Sequence, residues 1–402
     1  MTVVAQILDR LSGVAKPQRN FFLTLMATML ITRGRINFVN LSRHSQLSEK
    51  TYRRQFRKEF DFLSFNRASI KQAEADSQPH LFAQDTSFSK KSGKQTYGLD
   101  YFFNGTASRA ERGLEVSLIS IVDVSKNQAL ALSAEQTPPP STTQSAEKTS
   151  TRIDFYLEHL HRTAVYFPEA VKYGVVDGFY AKEKFVTGVC RLGYHLISKL
   201  RTDARLLYLF EGAQKKRGRP RKYEGRVKLQ RLNGFAAVTT DEPCLTLYTK
   251  AVWSVSLKRV VRVVVVVNHK EKKKPRRAVL FSTDTELSAT TIYRYYKARF
   301  QIEFIFRDAK QFAGFSDCQA RDQEALHFHF NASVAAVNMA RMTARQEQPA
   351  EEQFVFSMAS IKQRAFNEHL LNLIISKLAL DQTAMKNHPQ YEYLRSYGAI
   401  AA

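Results

Sequence analysis

Apolar positions set the first elements. "FFLTLMATMLI" (21–31) is apolar on all sides and predicts a buried helix. In "RINFVNLSRHSQLSEKTYRRQFRKEF" a short helix ends near His44, and Ser48 can cap the next with Glu49 in its first turn. Tyr52, Phe56 and Phe60 recur every four residues and face a core, which leaves Lys50, Arg53, Arg54, Arg57 and Lys58 outside. That is the layout of a helix-turn-helix with a basic recognition helix. An amphipathic helix with a solvated charged face has the same pattern. Residues 1–75 are thus expected to form a helical unit.

Strand patterns follow in "HLFAQDTSF", "GLEVSLISIVDV" and "QALALSA". The Pro/Ser/Thr-rich segment 135–151 reads as a loop. "RIDFYLEHLHRTAVYF" and "AKEKFVTGVCRLG" are helix-like, and "KYGVVDGFY" and "YHLISKLR" are strand-like, so 78–202 predicts a mixed α/β core. From 203 to 285 the texture changes. A basic run, "KKRGRPRKYEGRVKLQ", precedes four strand-like stretches that predict a separate small sheet, with a basic hairpin tip at 270–277. Helical periodicity resumes over about 287–311 and again in "EALHFHFNASVAAVNMARMTARQ", so 286–345 returns to the core and 346–402 forms a helical tail. No internal repeat is present.

Composition narrows the partners. The 402 residues carry 61 Lys and Arg against 37 Asp and Glu, a net charge of +24, and a polyanion such as nucleic acid is the first partner to expect. Three scattered cysteines fit neither a disulfide framework nor a zinc cluster. The N-terminus lacks signal-peptide features and the apolar stretches are too short to span a bilayer, so the expected location is the cytoplasm. "RGRP" (217–220) is like the core of an AT-hook, but contact with phosphates by Lys215, Lys216, Arg217, Arg219, Arg221 and Lys222 is the safer expectation. Trp253 is expected in a core, and His327 and His329 as structural residues.

The candidate chemistry lies in "YYKARFQIEFIFRDAK" (295–310). On a helical wheel Tyr296, Arg299, Glu303 and Lys310 fall within an arc of about 60°, with Arg307 beside them, on a face about 20 Å long. Ala298, Ile302, Ile305 and Ala309 gather on another face, which docks on a core. Intrahelical ion pairs would explain this row alone. Two further acids change the picture: Asp85 in "FAQDTSF" and Asp177 in "GVVDGFY", each at or just beyond the end of an apolar strand. Three carboxylates without a His or Cys cluster suit two Mg²⁺ or Mn²⁺ ions, and such a pair can drive phosphodiester cleavage.

The spacing Tyr296-x2-Arg299-x3-Glu303-x6-Lys310 resembles, without gap or substitution, the Y-R-E-K signature of bacterial insertion-sequence transposases of the DDE class. "QDTSFSKKSGKQTYGLDYFFNG" and "VVDGFYAKEKF" resemble the regions round that family's two aspartates, and "ISKLRTDARL", "RGRPRKY" and "DCQARD" are similar to family segments. The resemblance covers about residues 80–340. It implies an RNase H-like mixed-sheet catalytic core interrupted by a β-rich insertion at 203–285, preceded by a helical DNA-binding domain. It implies Asp85, Asp177 and Glu303 as the metal-binding triad, with Tyr296, Arg299 and Lys310 on the terminal phosphates, and in relatives these help hold a DNA hairpin. The implied partners are double-stranded DNA, as terminal inverted repeats and target, and a second copy of the chain in the DNA complex. Phe300 stands where relatives often have Trp. A non-catalytic DNA-binding regulator and an RNase H-like nuclease are the competing expectations.

Overall fold

The computed structural model describes residues 2–73, 79–139, 151–270, 276–347 and 356–400. Most of the expected 135–151 loop and the tip of the 270–277 hairpin lie outside the described residues. Five helices come first: α1 (Thr2–Asp9), α2 (Lys16–Ile31), α3 (Phe38–Arg43), α4 (Glu49–Gln55) and α5 (Phe62–Ala73). Their ends follow from capping. The Asn37 side chain accepts from Asn40 N–H at the start of α3, and Ser48 from Thr51 N–H at the start of α4, which satisfies donors that have no intrahelical partner. Tyr52, Phe56 and Phe60 are buried as expected, although α4 stops at Gln55, so the last two reach the core from beyond it.

The central sheet begins with β1 (His80–Lys90), β2 (Asp100–Asn104), β3 (Arg109–Asp123) and β4 (Gln128–Gln136), an antiparallel meander. α6 (Arg152–Ala164) leads to β5 (Tyr173–Val176), and α7 (Glu183–Arg191) to β6 (His195–Leu200). β5 lies parallel to β1 and β6 parallel to β5, so the order β4-β3-β1-β5-β6 is that of an RNase H-like fold. Gly174 of β5 sits opposite Phe82 of β1, whose ring would be 2.0 Å from any Cβ placed there, so only glycine lets the two strands meet at this point. The short β2 escapes the apolar pattern because only Phe102 of its five residues is buried.

Residues 203–285 fold as β7 (Leu206–Leu209), β8 (Tyr223–Arg226), β9 (Ala236–Thr239), β10 (Leu245–Ser254), β11 (Arg259–Asn268) and β12 (Arg276–Ser282). They do not close a separate sheet. β12 pairs antiparallel with β6, from Val279 opposite Leu200 to Ser282 opposite Ile197, and extends the core into one sheet of twelve strands. The apolar run Val263–Val267 of β11 is buried on both faces, like a central strand. Trp253 is half-buried against Tyr223 towards the far edge and is not a core residue.

Two helices, α8 (Ala289–Ala298) and α9 (Gln301–Phe312), bring the chain back, followed by α10 (Gln323–Glu347) and the tail helices α11 (Met358–Lys377), α12 (Gln382–Lys386) and α13 (Tyr391–Ser396). Among the described residues no helix is long and apolar enough to cross a membrane. The N-terminal helices share one hydrophobic core with the sheet and α10; Phe56 and Phe62 pack on Phe328 with ring centres 4.6 and 5.0 Å away. His329 is buried and bonds to Gly314 O at 2.7 Å, a structural role, whereas His327 is exposed.

β4 pairs only with β3, and α10 covers its free edge with side-chain amides that act as a further strand. Asn331 Oδ1 accepts from Ala134 N–H and its Nδ2 donates to Ala134 O; two turns on, Asn338 makes the same pair with Ala131. Arg341 continues the row by donating to Ala129 O. Asn338→Leu leaves a buried N–H and C=O of β4 without partners, and each such group costs about 1–3 kcal/mol. The variant is expected to lose about 2–4 kcal/mol in chemical denaturation; a loss below about 0.5 kcal/mol would contradict this role.

Candidate active site

Asp85 lies inside β1 and not at its end, because β1 runs on to Lys90 beside β3. Its position is nonetheless special. The parallel pairing of β1 with β5 stops at Gln84 opposite Val176, and Asp85 and Asp177 are the next residues on the two chains. The two carboxylates therefore project from neighbouring strands at one level of the sheet. Asp177 accepts from Phe179 N–H at 2.8 Å and so starts a single turn of 3₁₀ helix; Ser198 Oγ donates to its carbonyl at 2.7 Å. Asp85 accepts from Thr86 N–H at 2.8 Å.

The third acid comes from the helical return. The expected continuous helix is two helices joined at Arg299 and Phe300, where Arg299, Phe300, Ile302 and Glu303 N–H bond to carbonyls three residues back. Helical periodicity survives such a joint, since both residues keep helical dihedrals, and so the sequence does not reveal it. Ala298, Ile302, Ile305 and Ala309 are all buried, as the wheel requires. The joint puts Arg299 between the acids: it donates to Asp85 Oδ2 at 3.2 Å and to Glu303 Oε1 at 2.7 Å, and lies beside the Tyr296 ring. Lys310 donates to Phe88 O of β1 at 2.8 Å and pins α9 to that strand. Arg307 turns away, half-exposed over Phe304, and bonds to Asp308.

The electrostatics follow from this geometry. Asp85 is pushed up to about 7, first by burial and then by Asp177, while Arg299 and the Thr86 N–H pull it down. Burial depresses the Arg299 guanidinium, but Asp85, Glu303 and Tyr296 together hold it above its usual value. Burial lowers Lys310. Sequence reasoning missed Tyr180, three residues after Asp177. It is fully buried, its hydroxyl has no hydrogen-bond partner among the described residues, and burial followed by Asp85 raises its ionisation well above the ordinary value. The only signal was its place in "DGFY".

A groove of about 710 Å³ runs beside these groups, lined by Asp177, Phe179, Lys199, Arg201, Arg277, Tyr296 and Arg299 among others. Among the described residues no three His, Cys, Asp or Glu side chains stand close enough to enclose a metal ion, since Arg299 lies between Asp85 and Glu303. The other expected contacts lie elsewhere. Lys50, Arg53, Arg54 and Arg57 are exposed on and just beyond α4; Arg53 pairs with Glu49, and Arg57 with Asp322. Lys215, Lys216, Arg217, Arg219, Arg221 and Lys222 are exposed before β8, where Arg221 lies over Phe210. β8 is six strand spacings from β5, roughly 29 Å at ~4.8 Å each, so this run is not brought to the carboxylates.

Residues 143–339 match the family model of the transposase DDE domain. This segment is therefore a transposase DDE domain, the catalytic domain of enzymes that act on DNA. No curated protein matches the chain. The matched segment holds Asp177, Tyr296, Arg299, Glu303 and Lys310, whereas Asp85 precedes it and is tied to the others by sheet register and by its bond to Arg299.

Removing the guanidinium leaves Asp85 half-buried beside Asp177 with no cation. Arg299→Met is expected to cost about 1–3 kcal/mol at pH 8. A folded-state pKa near 7, above the unfolded value, means that the folded chain binds the extra proton between about pH 4 and 7, so the strain is relieved as pH falls. The deficit of the variant should therefore shrink at pH 5 in denaturation curves; a deficit that grows on acidification would contradict the pairing.

Proposed function

We propose that the protein binds the terminal inverted repeats of its own insertion sequence and cuts and joins DNA there, with Asp85, Asp177 and Glu303 as ligands for two Mg²⁺ or Mn²⁺ ions. The observation that carries this reading is that Asp85 of β1 and Glu303 of α9 share one guanidinium, with Asp177 at the end of β5 on the strand next to Asp85. The donor set suits such ions: it is all oxygen, and burial together with neighbouring Asp177 pushes Asp85 up to about 7 in spite of Arg299, so added positive charge there is favourable. When bound, the ions supply a polarised water or 3′-hydroxyl and stabilise the leaving oxygen of the phosphodiester.

The chain's own groups do the rest. Asp85 and Asp177, fixed at one level by strand register, set one side of the site, and Glu303 sets the other from the first turn of α9. Arg299 places a positive charge between Asp85 and Glu303; with ions held by those acids its guanidinium would be available to a phosphate oxygen, with Tyr296 beside it. Lys310 spends one N–H on Phe88 O and keeps two for phosphate. Lys50 and Arg54 on α4, together with Arg53 and Arg57, grip the repeat, and the basic run 215–222 meets DNA farther along. Both ends of one element need two such sites, hence a homodimer on DNA. Cleavage follows a cut-and-paste course, with a sealed hairpin end as its intermediate.

In this account a labelled duplex carrying the DNA that flanks the gene is nicked at the element boundary with Mg²⁺ or Mn²⁺ and not with chelator. Glu303→Gln should slow nicking by about two orders of magnitude or more while duplex binding persists. Binding without cleavage under either ion would leave a DNA-binding regulator. A time course that yields only open 3′-hydroxyl ends would remove the hairpin.

A further inference from the structure

A groove lies away from the carboxylates, and no part of the reading above uses it as a site. It has a volume of about 890 Å³ and three walls: the segment round Arg35 with Arg53 and Arg57, the β1–β2 loop from Lys90 to Thr96, and the α9–α10 loop from Ser316 to Asp322. We propose that this groove is a phosphate-binding channel for duplex DNA, placed to hold the backbone of the same duplex whose end reaches Asp85. The proposal rests on the DNA-processing reading for the identity of the duplex, but its test does not depend on cleavage.

The charge balance comes first. Six cations line the groove, namely Arg35, Arg53, Arg57, Lys90, Lys91 and Arg321, against two carboxylates, Asp317 and Asp322. Both acids are already engaged: Asp317 accepts from Ile36 N–H at 2.9 Å, and Asp322 pairs with Arg57 at 3.2 Å and accepts from Ala325 N–H. Among the described residues the side chains of Arg35 and Lys90 have no hydrogen-bond or ion-pair partner. Concentrated positive charge of this kind repels itself unless a polyanion is close.

The second observation is that the walls are tied together. Lys91 donates to the carbonyls of Ser316 and Cys318, and Tyr97 N–H donates to Arg321 O at 2.8 Å, so the β1–β2 loop is fixed to the α9–α10 loop. The Asp317–Ile36 and Asp322–Arg57 contacts fix that loop to the N-terminal helices. Gly314, at φ +69°, lets Ile36 approach where a Cβ would come within 2.4 Å of it. The groove is therefore a preorganised channel, with its free cations Arg35 and Lys90 contributed by different segments of the chain.

The third observation is direction. Lys90 is five residues beyond Asp85 on the same strand, and Lys310 holds Phe88 between them. At ~3.4 Å per residue the two are roughly 17 Å apart, about five base-pair steps of duplex. The channel, with Arg53 of α4 in its wall, thus meets phosphates at that remove from the reacting bond.

The test is fluorescence anisotropy in chelator buffer, with a labelled duplex from the gene's flanking DNA and an unrelated duplex of equal length. Arg35→Ala with Lys90→Ala should weaken both by about tenfold or more and make the log–log salt dependence shallower by about 1.8, because two phosphate contacts are lost. Arg35→Lys with Lys90→Arg should restore most of the affinity. Lys377→Ala with Lys386→Ala, two exposed tail cations, controls for net charge and should bind as the wild type. Unchanged affinity and slope in the groove variant would overturn the proposal, and so would an equal loss in the tail control. Should the groove variant bind normally while Glu303→Gln abolishes cleavage, the channel fails and the catalytic reading stands. Should the wild type cleave with neither ion while the groove variant loses duplex affinity, the catalytic reading fails and the channel stands.

Discussion

Two carboxylates on adjacent parallel strands at one level repel each other, and burial of Asp85 makes a counter-charge beside it favourable. Much of the structure can be understood as a response to that constraint. Gly174 allows β5 to lie against Phe82, and this proximity brings Asp177 level with Asp85. The 3₁₀ joint between α8 and α9 then delivers Arg299 to Asp85 and leaves Glu303 bonded to the same guanidinium. Lys310 holds α9 in place by its bond to β1. Above neutral pH such an arrangement is strained unless a cation lies beside Asp85, as the Arg299 guanidinium does.

The second organising feature is that the parts are not independent bodies. The N-terminal helices bury Phe21, Phe56 and Phe62 against Phe328 of α10, and the strands of 203–285 continue the core sheet through β12 and β6. α10 in turn closes the β4 edge with Asn331 and Asn338. The basic helix α4, the groove and the carboxylates therefore keep fixed mutual positions through shared packing. In such a molecule removal of the first 75 residues would expose the core, so the role of α4 is better read from single side chains such as Lys50 and Arg54.

Much of this was legible in the sequence, and the reasons it was or was not are physical. The buried faces of α2 and α9, the cap at Ser48 and the long strands β1, β3 and β11 follow from periodicity and local hydrogen bonding, which are properties of short segments. The acids at 85, 177 and 303 stood out as charges next to apolar runs. What periodicity cannot carry is anything set by pairing at long range: that β12 joins β6, that Asp85 sits within a strand and is special only because β5 ends there, or that a tight joint interrupts the α8–α9 pattern. Tyr180 was hidden because a buried tyrosine and an ordinary core aromatic look alike until the neighbours are known. The groove of Arg35 and Lys90 draws on three distant segments and has no signature in any one of them.

The central claim is that Asp85, Asp177 and Glu303 form one divalent-cation site in which Arg299 holds the place of the metal. Titration of Mn²⁺ into the full-length protein, followed by calorimetry and by the paramagnetic signal of the free ion, tests it most directly. Binding should be lost or severely weakened in Asp85→Asn and Asp177→Asn alike and strengthened in Arg299→Met. Equal Mn²⁺ affinity in the wild type and both asparagine variants would contradict the account.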